Sequence, residues 1–367
     1  MSVKRLLCCM SSMNSGGAEG FLMKQYRMLD RTKYQMDFCV NVKEKCFYDG
    51  EIKALGGRIY RIAPKSQDFK KSLRELQNIV RENGYENVIC NSTKPGTVLE
   101  LIAAKKGGAK RLIYRSSSAS ISGGIKTKLL HHTVGRLAHF VPDVKIAPST
   151  LAAEFCFGKG CVAKGKAELL YNGIDTSIYR YSDALREETR KKLGLGGEFT
   201  AVHVGRFSEV KNHPFLFDVF AQILKTKPDA KLILVGDGEL EAQMKDKAQE
   251  MGISENVLFL GLRRDIPAIL AAGDIFIFPS FFEGMPNTVI EAQALSLHCI
   301  IADTITPEAD ITGLVEYLPL GNAKQWSEKA LLYADGYKRK EMTEIFKEKK
   351  YDIQSVSAEF IRFCFGE

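Results

Sequence analysis

Two hydrophobic periodicities alternate along the whole of this sequence. Strand-length apolar runs are read at 4–10, 36–42, 58–62, 87–91, 111–115, 144–148 and 167–171. They recur at 200–205, 231–235, 256–260, 274–279, 298–302 and 314–318. Between them lie stretches of helical period, as at 18–31 and 67–83, then 212–226, 239–251, 266–272, 286–296 and 323–334. A charged helical pattern at 338–350 and an amphipathic one at 354–364 close the chain. Strand–helix alternation implies parallel sheets with helices on both faces. At about 150 residues per domain, 367 residues make two such sheets. The expected fold class is therefore α/β, with two Rossmann-like doubly wound domains facing across a cleft. Residues 1–180 form the first domain and 181–367 the second, whose last helix is able to return to the first. A linker is read near 172–198, from Asn172-Gly173 to Gly194-Leu195-Gly196-Gly197.

Composition excludes several classes. Apolar residues make up 45% and charged residues 26%, which is too apolar for a disordered chain. No apolar run approaches the roughly 18 residues of a membrane span. The run after Lys4 and Arg5 is too short for a signal-peptide core. Nine cysteines without paired spacing read as buried thiols in a reducing compartment. Cys156 and Cys161 flank a glycine-rich turn but lack a second pair at zinc spacing. A cytoplasmic protein is expected.

Charge is distributed unevenly. Residues 1–180 carry 30 Lys and Arg against 15 Asp and Glu, net +15, whereas 181–367 carry 22 against 29, net −7. Between Leu101 and Pro142 there is no acidic residue, but there are eight basic ones: Lys105, Lys106, Lys110, Arg111, Arg115, Lys126, Lys128 and Arg136. His131, His132 and His139 join them. Such a stretch is either a solvated basic face or a surface for anions, including an anionic membrane. Within it, Ile125 to Phe140 places Leu130, Val134 and Leu137 on one helical face. Packing against the sheet is the commoner use of such a stripe.

In open parallel sheets, ligands sit beyond the carboxyl ends of the strands. Three loops there carry chemistry. Ser15-Gly16-Gly17-Ala18-Glu19 lets the backbone approach a ligand and opens a helix, whose N-terminus favours an anion. It lacks the third glycine of a dinucleotide fingerprint. After the 200–205 strand, Gly205-Arg206-Phe207 and Lys211-Asn212 present two cations before a helix start, an arrangement that suits a diphosphate. His203 reads as packed and His213 as a helix-start residue. The third loop is Glu283-Gly284-Met285-Pro286-Asn287-Thr288, with Glu291 on the face of Asn287 and Thr288. Its two carboxylates suit sugar hydroxyls, and amides near Met285 to Thr288 suit phosphate.

The order of these motifs resembles a family 4 retaining glycosyltransferase of the GT-B fold. It runs Gly-Gly-Ala-Glu, Asn172-Gly173-Ile174-Asp175, Val-Gly-Arg-Phe with Lys-Asn, Leu234-Val235-Gly236-Asp237-Gly238, Phe259-Leu260-Gly261, and Pro279-Ser280-x-x-Glu-Gly-x-Pro with a second Glu eight positions on. Ala302-Asp303-Thr304 resembles the capsule and exopolysaccharide branch. The resemblance is dense over 200–303 and sparser before.

It implies that the N-terminal domain binds an acceptor and the C-terminal domain a nucleotide-sugar donor. Arg206 and Lys211 would hold the diphosphate leaving group, Glu283 the donor sugar and Glu291 the ribose. Gly17 would lie beside the phosphates, and Leu262 and Arg263 near the base. Gly205 and the turn from Gly284 to Thr288 complete the donor-binding set. The family's histidine after the fifth N-domain strand is missing, because Tyr114-Arg115 is followed by Ser116-Ser117-Ser118. The activity implied is retaining transfer of a sugar from a nucleotide diphosphate donor, expected to be UDP-linked, to a lipid-linked or glycan acceptor in cell-surface polysaccharide synthesis. No cofactor and no metal are expected. The acceptor class includes polyprenyl diphosphate, which would bring the 101–142 stretch to an anionic membrane as a peripheral contact. Alternatives are a UDP-sugar epimerase on the same fold, a nucleic-acid-binding protein using 101–142, and a nicotinamide-dependent oxidoreductase.

Overall fold

The computed structural model describes residues 3–14, 16–92, 94, 96–116 and 134–367. Each apolar run read as a strand lies in a sheet, with ends shifted by one or two residues. The chain divides into two units, Met1–Gly173 with Ile353–Glu367, and Ile174–Asp352. Compared with the 1–180/181–367 division, residues 174–180 and the last helix fall on the opposite side.

The first unit contains β1 (Lys4–Met10), β2 (Tyr34–Val40), β3 (Ile59–Arg61), β4 (Asn87–Asn91), β5 (Arg111–Arg115), β6 (Val144–Ala147) and β7 (Glu168–Leu169). They form one parallel sheet in the order β3-β2-β1-β4-β5-β6-β7. The order reverses between β1 and β4, which opens a crevice at their carboxyl ends. Burial on both faces explains why β1 reads as a continuous apolar run from Leu6 to Met10 rather than an alternating one. Two helices lie close on one face. Asp68 caps Phe69–Asn83 by accepting from Lys71 N at 2.8 Å, and Gly84 closes it at φ 66°. A Cβ on Gly107 would come within 2.7 Å of Gln77 O, so glycine there permits the approach of helix Thr97–Gly107. The terminal helix Ile353–Phe365 covers the other face, with Phe360 against Phe21 and Phe365 against Tyr34.

The basic stretch is not one surface. Arg115 is buried in the sheet, donating to Asn172 Oδ1 at 2.6 Å and Asn91 Oδ1 at 3.2 Å, with its guanidinium 3.7 Å above the Phe21 ring. Burial pushes its pKa down to about 9. Arg111 donates to Phe363 O at the end of the terminal helix, and Lys110 pairs with Glu86. Lys105, Lys106 and Arg136 are exposed. Phe140 is 83% exposed beside Leu137, so these two apolar side chains do not pack against the sheet. Ser15, Ser117, Ser118, Lys126, Lys128, Leu130, His131 and His132 lie outside the described residues.

The second unit contains β8 (Thr200–Val204), β9 (Lys231–Val235), β10 (Val257–Phe259), β11 (Ile275–Phe278), β12 (Cys299–Ala302) and β13 (Val315–Leu318). Its parallel order is β10-β9-β8-β11-β12-β13, so the reversal falls between β8 and β11. The segment read as a linker contains a helix, Asp183–Lys192, capped by Ser182. Arg186 and Arg190 tie it down through the carbonyls of Ala271 to Gly273 and through Asp274. A highly charged sequence hides this docking, because its two arginines spend their charge on backbone carbonyls and one carboxylate. Of the charged 338–350 pattern, only Thr343–Glu348 is helical.

Candidate active site

The site is built where the order of the second sheet reverses. β8 is wholly buried and is followed directly by Gly205. A Cβ there would lie 2.9 Å from His203 Nε2 and 3.3 Å from the Lys211 stem. The neighbouring loop after β9 must also be glycine. Gly236 has φ 144°, and a Cβ on it would come within 2.1 Å of Gly205 O. Gly205 N donates to Val235 O at 2.9 Å and Phe207 N to Asp237 O at 2.7 Å. These bonds hold the backbone on either side of Arg206, whose side chain projects into solvent. Its Nη2 lies 3.0 Å from Glu239 Oε2.

A short 3-10 turn, Glu209–Lys211, follows and ends at Asn212 with φ 53°. Asparagine tolerates this left-handed conformation better than most residues. The reversal starts helix His213–Thr226 and brings Lys211 back over the strand ends. Its ammonium lies 2.6 Å from Glu283 Oε1 and 4.4 Å from the centroid of Phe278, the last residue of β11. Both side chains of this ion pair are only 19% exposed. Ser280 Oγ lies 2.8 Å from Val210 O and 3.0 Å from Glu283 Oε1, and Phe281 N donates to Val210 O at 2.8 Å. The loops after β8 and β11 are thus joined through backbone and side chains.

Beyond Glu283, Gly284, Met285 and Pro286 are buried, and helix Asn287–Ala294 begins. Pro286 stands at the cap, one position before the first helical residue. Asn287 and Thr288 are half-buried in the first turn, and the Glu291 carboxylate lies one turn on at 8% exposure. Positive charge from Lys211, carboxylates from Glu283 and Glu291, and a helix N-terminus are therefore gathered at one switch point. That combination holds an anion beside hydroxyl groups.

Under this surface lies an aromatic support. His203 Nδ1 is 2.9 Å from Ile277 O, so it carries the proton and donates, while Nε2 has no hydrogen-bond partner. His203 stacks on Phe278 and meets His213 edge to face at 4.9 Å, and His213 stacks on Phe207 at 4.3 Å. Burial holds the His203 imidazole well below its ordinary pKa, and burial with the nearby Lys211 charge lowers His213 to about 4. Both rings are neutral at pH 7. His203 is packed, and His213 opens a helix.

Three other candidates follow other strands. Gly17 begins helix Gly17–Met28 after β1, in the first unit. Leu262 and Arg263 follow β10, two strands away from β8. Leu262 is exposed, and Arg263 is held by Asp265 through contacts of 2.8 and 2.7 Å. Arg263 lines a cavity of about 170 Å³ whose other walls, Leu185, Thr189 and Ile269 among them, carry no other donor candidate. Sequence reasoning missed Glu239 and the Ser280 hydroxyl as partners. Gly236-Asp237-Gly238 was a usable signal for the former, since Glu239 follows directly.

The family model "Glycosyl transferases group 1" matches residues 185–347. EpsF of Bacillus subtilis (strain 168), a provisionally named glycosyltransferase, is 33% identical over 361 residues, covering 96% of this chain and 94% of that protein. The Escherichia coli UDP-Gal:α-D-GlcNAc-diphosphoundecaprenol α-1,3-galactosyltransferase is 30% identical over 241 residues, 64% of this chain and 62% of its own. HepE of Anabaena, solved with UDP and glucose, matches 99% of this chain and 100% of its own at TM-score 0.79 and 17% identity. At that identity the likeness shows the GT-B fold alone.

Proposed function

Since the chain belongs to the group 1 glycosyltransferase family, we propose that it is a retaining enzyme moving a sugar from a UDP-linked donor to a lipid-linked or glycan acceptor in polysaccharide synthesis. The observation that carries this reading is the meeting of Lys211 with Glu283 where the order of the second sheet reverses. Arg206 and Lys211 take the diphosphate and stabilise the charge that develops on it as the glycosidic bond breaks. Glu283 accepts from hydroxyls of the donor sugar, and Glu291 from the ribose. The departing phosphate oxygen takes the proton of the attacking hydroxyl, so no histidine base is needed. Arg115 is unsuited to that role, being committed to Asn91 and Asn172 inside the sheet. Charge balance at the diphosphate comes from the two cations, and the reading includes no resident metal.

One relative supports the lipid-linked acceptor. The Escherichia coli enzyme is named for a UDP-linked donor and a diphosphoundecaprenol-linked acceptor. A lipid anchor requires the protein to work at a membrane surface. No helix among the described residues is long and apolar enough to cross one. Peripheral contact through exposed Phe140, Leu137 and Arg136 fits instead.

The test incubates the protein with labelled UDP-sugars and undecaprenyl-diphosphate-linked sugars, with the product anomer read by NMR. Transfer with retention is expected. An inverted product refutes the retaining mechanism, and an epimerised UDP-sugar in the absence of acceptor establishes the epimerase instead.

A further inference from the structure

We propose that a second site, in the first unit and beyond the carboxyl ends of β2 and β3, binds a sugar that carries an anionic group. A cavity of about 350 Å³ opens there. That is near the lower end of small-molecule sites, about 300–1,000 Å³, and larger than a bare phosphate needs. Its apolar wall is Ile62 and Pro64, a surface for the C–H face of a sugar ring. Lys43, Arg61 and Lys71 converge on it from three different segments.

The site has hydrogen-bond donors to spare. Lys43 has no ion-pair partner among the described residues. Arg61 pairs with Asp49 and approaches Val42 O at 3.4 Å, which leaves other N–H groups of its five uncommitted. Lys71 Nζ is 3.9 Å from Glu75 Oε1, a long contact. The two carboxylates on the cavity wall are already in use. Asp68 caps the helix, and Glu75 Oε2 accepts from Ala63 N at 2.7 Å. An incoming carboxylate or phosphate meets three cationic groups against two carboxylates, each of which is already held by a backbone N–H.

The wall is also built before any ligand arrives. Asn41 Nδ2 donates to Ser72 Oγ at 2.9 Å and to Ala63 O at 3.3 Å. Gln67 N and Asp68 N donate to Pro64 O at 2.9 and 3.1 Å. Lys65 reaches inward to pair with buried Glu100. A loop tied at five points loses little entropy on binding, which favours affinity. The function of the site, holding an acidic unit of the acceptor glycan, rests on the transferase reading. Its occupancy does not.

The experiment is saturation-transfer NMR on the full chain with methyl α-D-glucuronide, glucose 6-phosphate and methyl α-D-glucoside, each with and without saturating UDP. The glucuronide should bind in the presence of UDP, and the neutral glucoside much more weakly. Glucose 6-phosphate binding as well shows that charge suffices, whereas its failure narrows the class to carboxylated sugars. Lys43→Glu combined with Lys71→Glu should weaken the anionic sugars about tenfold. Both side chains are exposed, and an unchanged circular-dichroism melt checks the fold of the first unit. Equal binding of the glucoside, displacement by UDP, or indifference to the double substitution overturns the proposal. The transferase reading is scored separately, from UDP-glucose binding by the unmodified protein, so either can fail without the other.

Discussion

Acid should loosen the second unit through His213. This imidazole is buried, stacked on Phe207, and has no hydrogen-bond partner for either ring nitrogen. Burial and the Lys211 charge lower its pKa from 6.5 to about 4. The unfolded chain therefore takes up a proton near pH 6.5, while the folded unit resists until about pH 4. Between those values the unfolded state holds more protons, so stability falls as pH falls, by at most about 1.4 kcal/mol per pH unit from this one group. The full contribution is present above pH 6.5, and about 3 kcal/mol has gone by pH 4. His203 is shifted in the same direction and adds to the loss. The single tryptophan, Trp326, is buried in this unit and donates to Pro319 O at 2.9 Å, so its fluorescence reports unfolding of this unit. Urea midpoints should be measured from pH 7 to 4.5 for the natural chain and for His213→Phe, which keeps the stack and removes the titration. The variant should show a visibly shallower pH dependence. Equal slopes would refute the assignment, because carboxylates titrating in the same window are common to both proteins.

Arg206→Ala and Lys211→Ala should each lower turnover about a hundredfold, the loss of about 3 kcal/mol seen when a transition-state donor is removed, and unchanged rates would remove the diphosphate assignment. Glu291→Ala should weaken binding of UDP itself, whereas Glu283→Ala should spare UDP and weaken the sugar donor; calorimetry with UDP and UDP-glucose separates the two. Gly236→Ala should destabilise the second unit by about 3 kcal/mol or more, because its Cβ would overlap Gly205 O, and should depress UDP binding by displacing Arg206. Co-sedimentation should favour anionic over neutral liposomes at 0.1 M salt and weaken toward 1 M, as the screening length falls from about 10 to about 3 Å. Equal recovery with both lipids would reject the membrane contact.

Much of this protein is local, and what is local was legible. Apolar runs separated by helical periods marked all the strands of both sheets, because burial on both faces leaves a continuous signal within a few residues. Turn chemistry did the same for the site. Gly205, Arg206 and Lys211 follow one strand, and Glu283 with Pro286 follows another, so each half of the site was visible by itself. The same locality explains the failures. Asp183–Lys192 reads as a charged linker, and its docking shows only when Arg186 and Arg190 are seen on the carbonyls of Ala271 to Gly273. Arg115 counted as surface charge until the sheet placed Asn91, Asn172 and Phe21 around it. Strand order is likewise non-local. Nothing within β8 or β11 says that they are neighbours, yet that pairing puts Lys211 2.6 Å from Glu283 across 72 residues of chain. The sequence determined which groups stand at the ends of strands, since periodicity and turns are set by neighbours along the chain. The tertiary structure decided which of those ends meet, since pairing depends on surfaces that exist only once distant segments have packed.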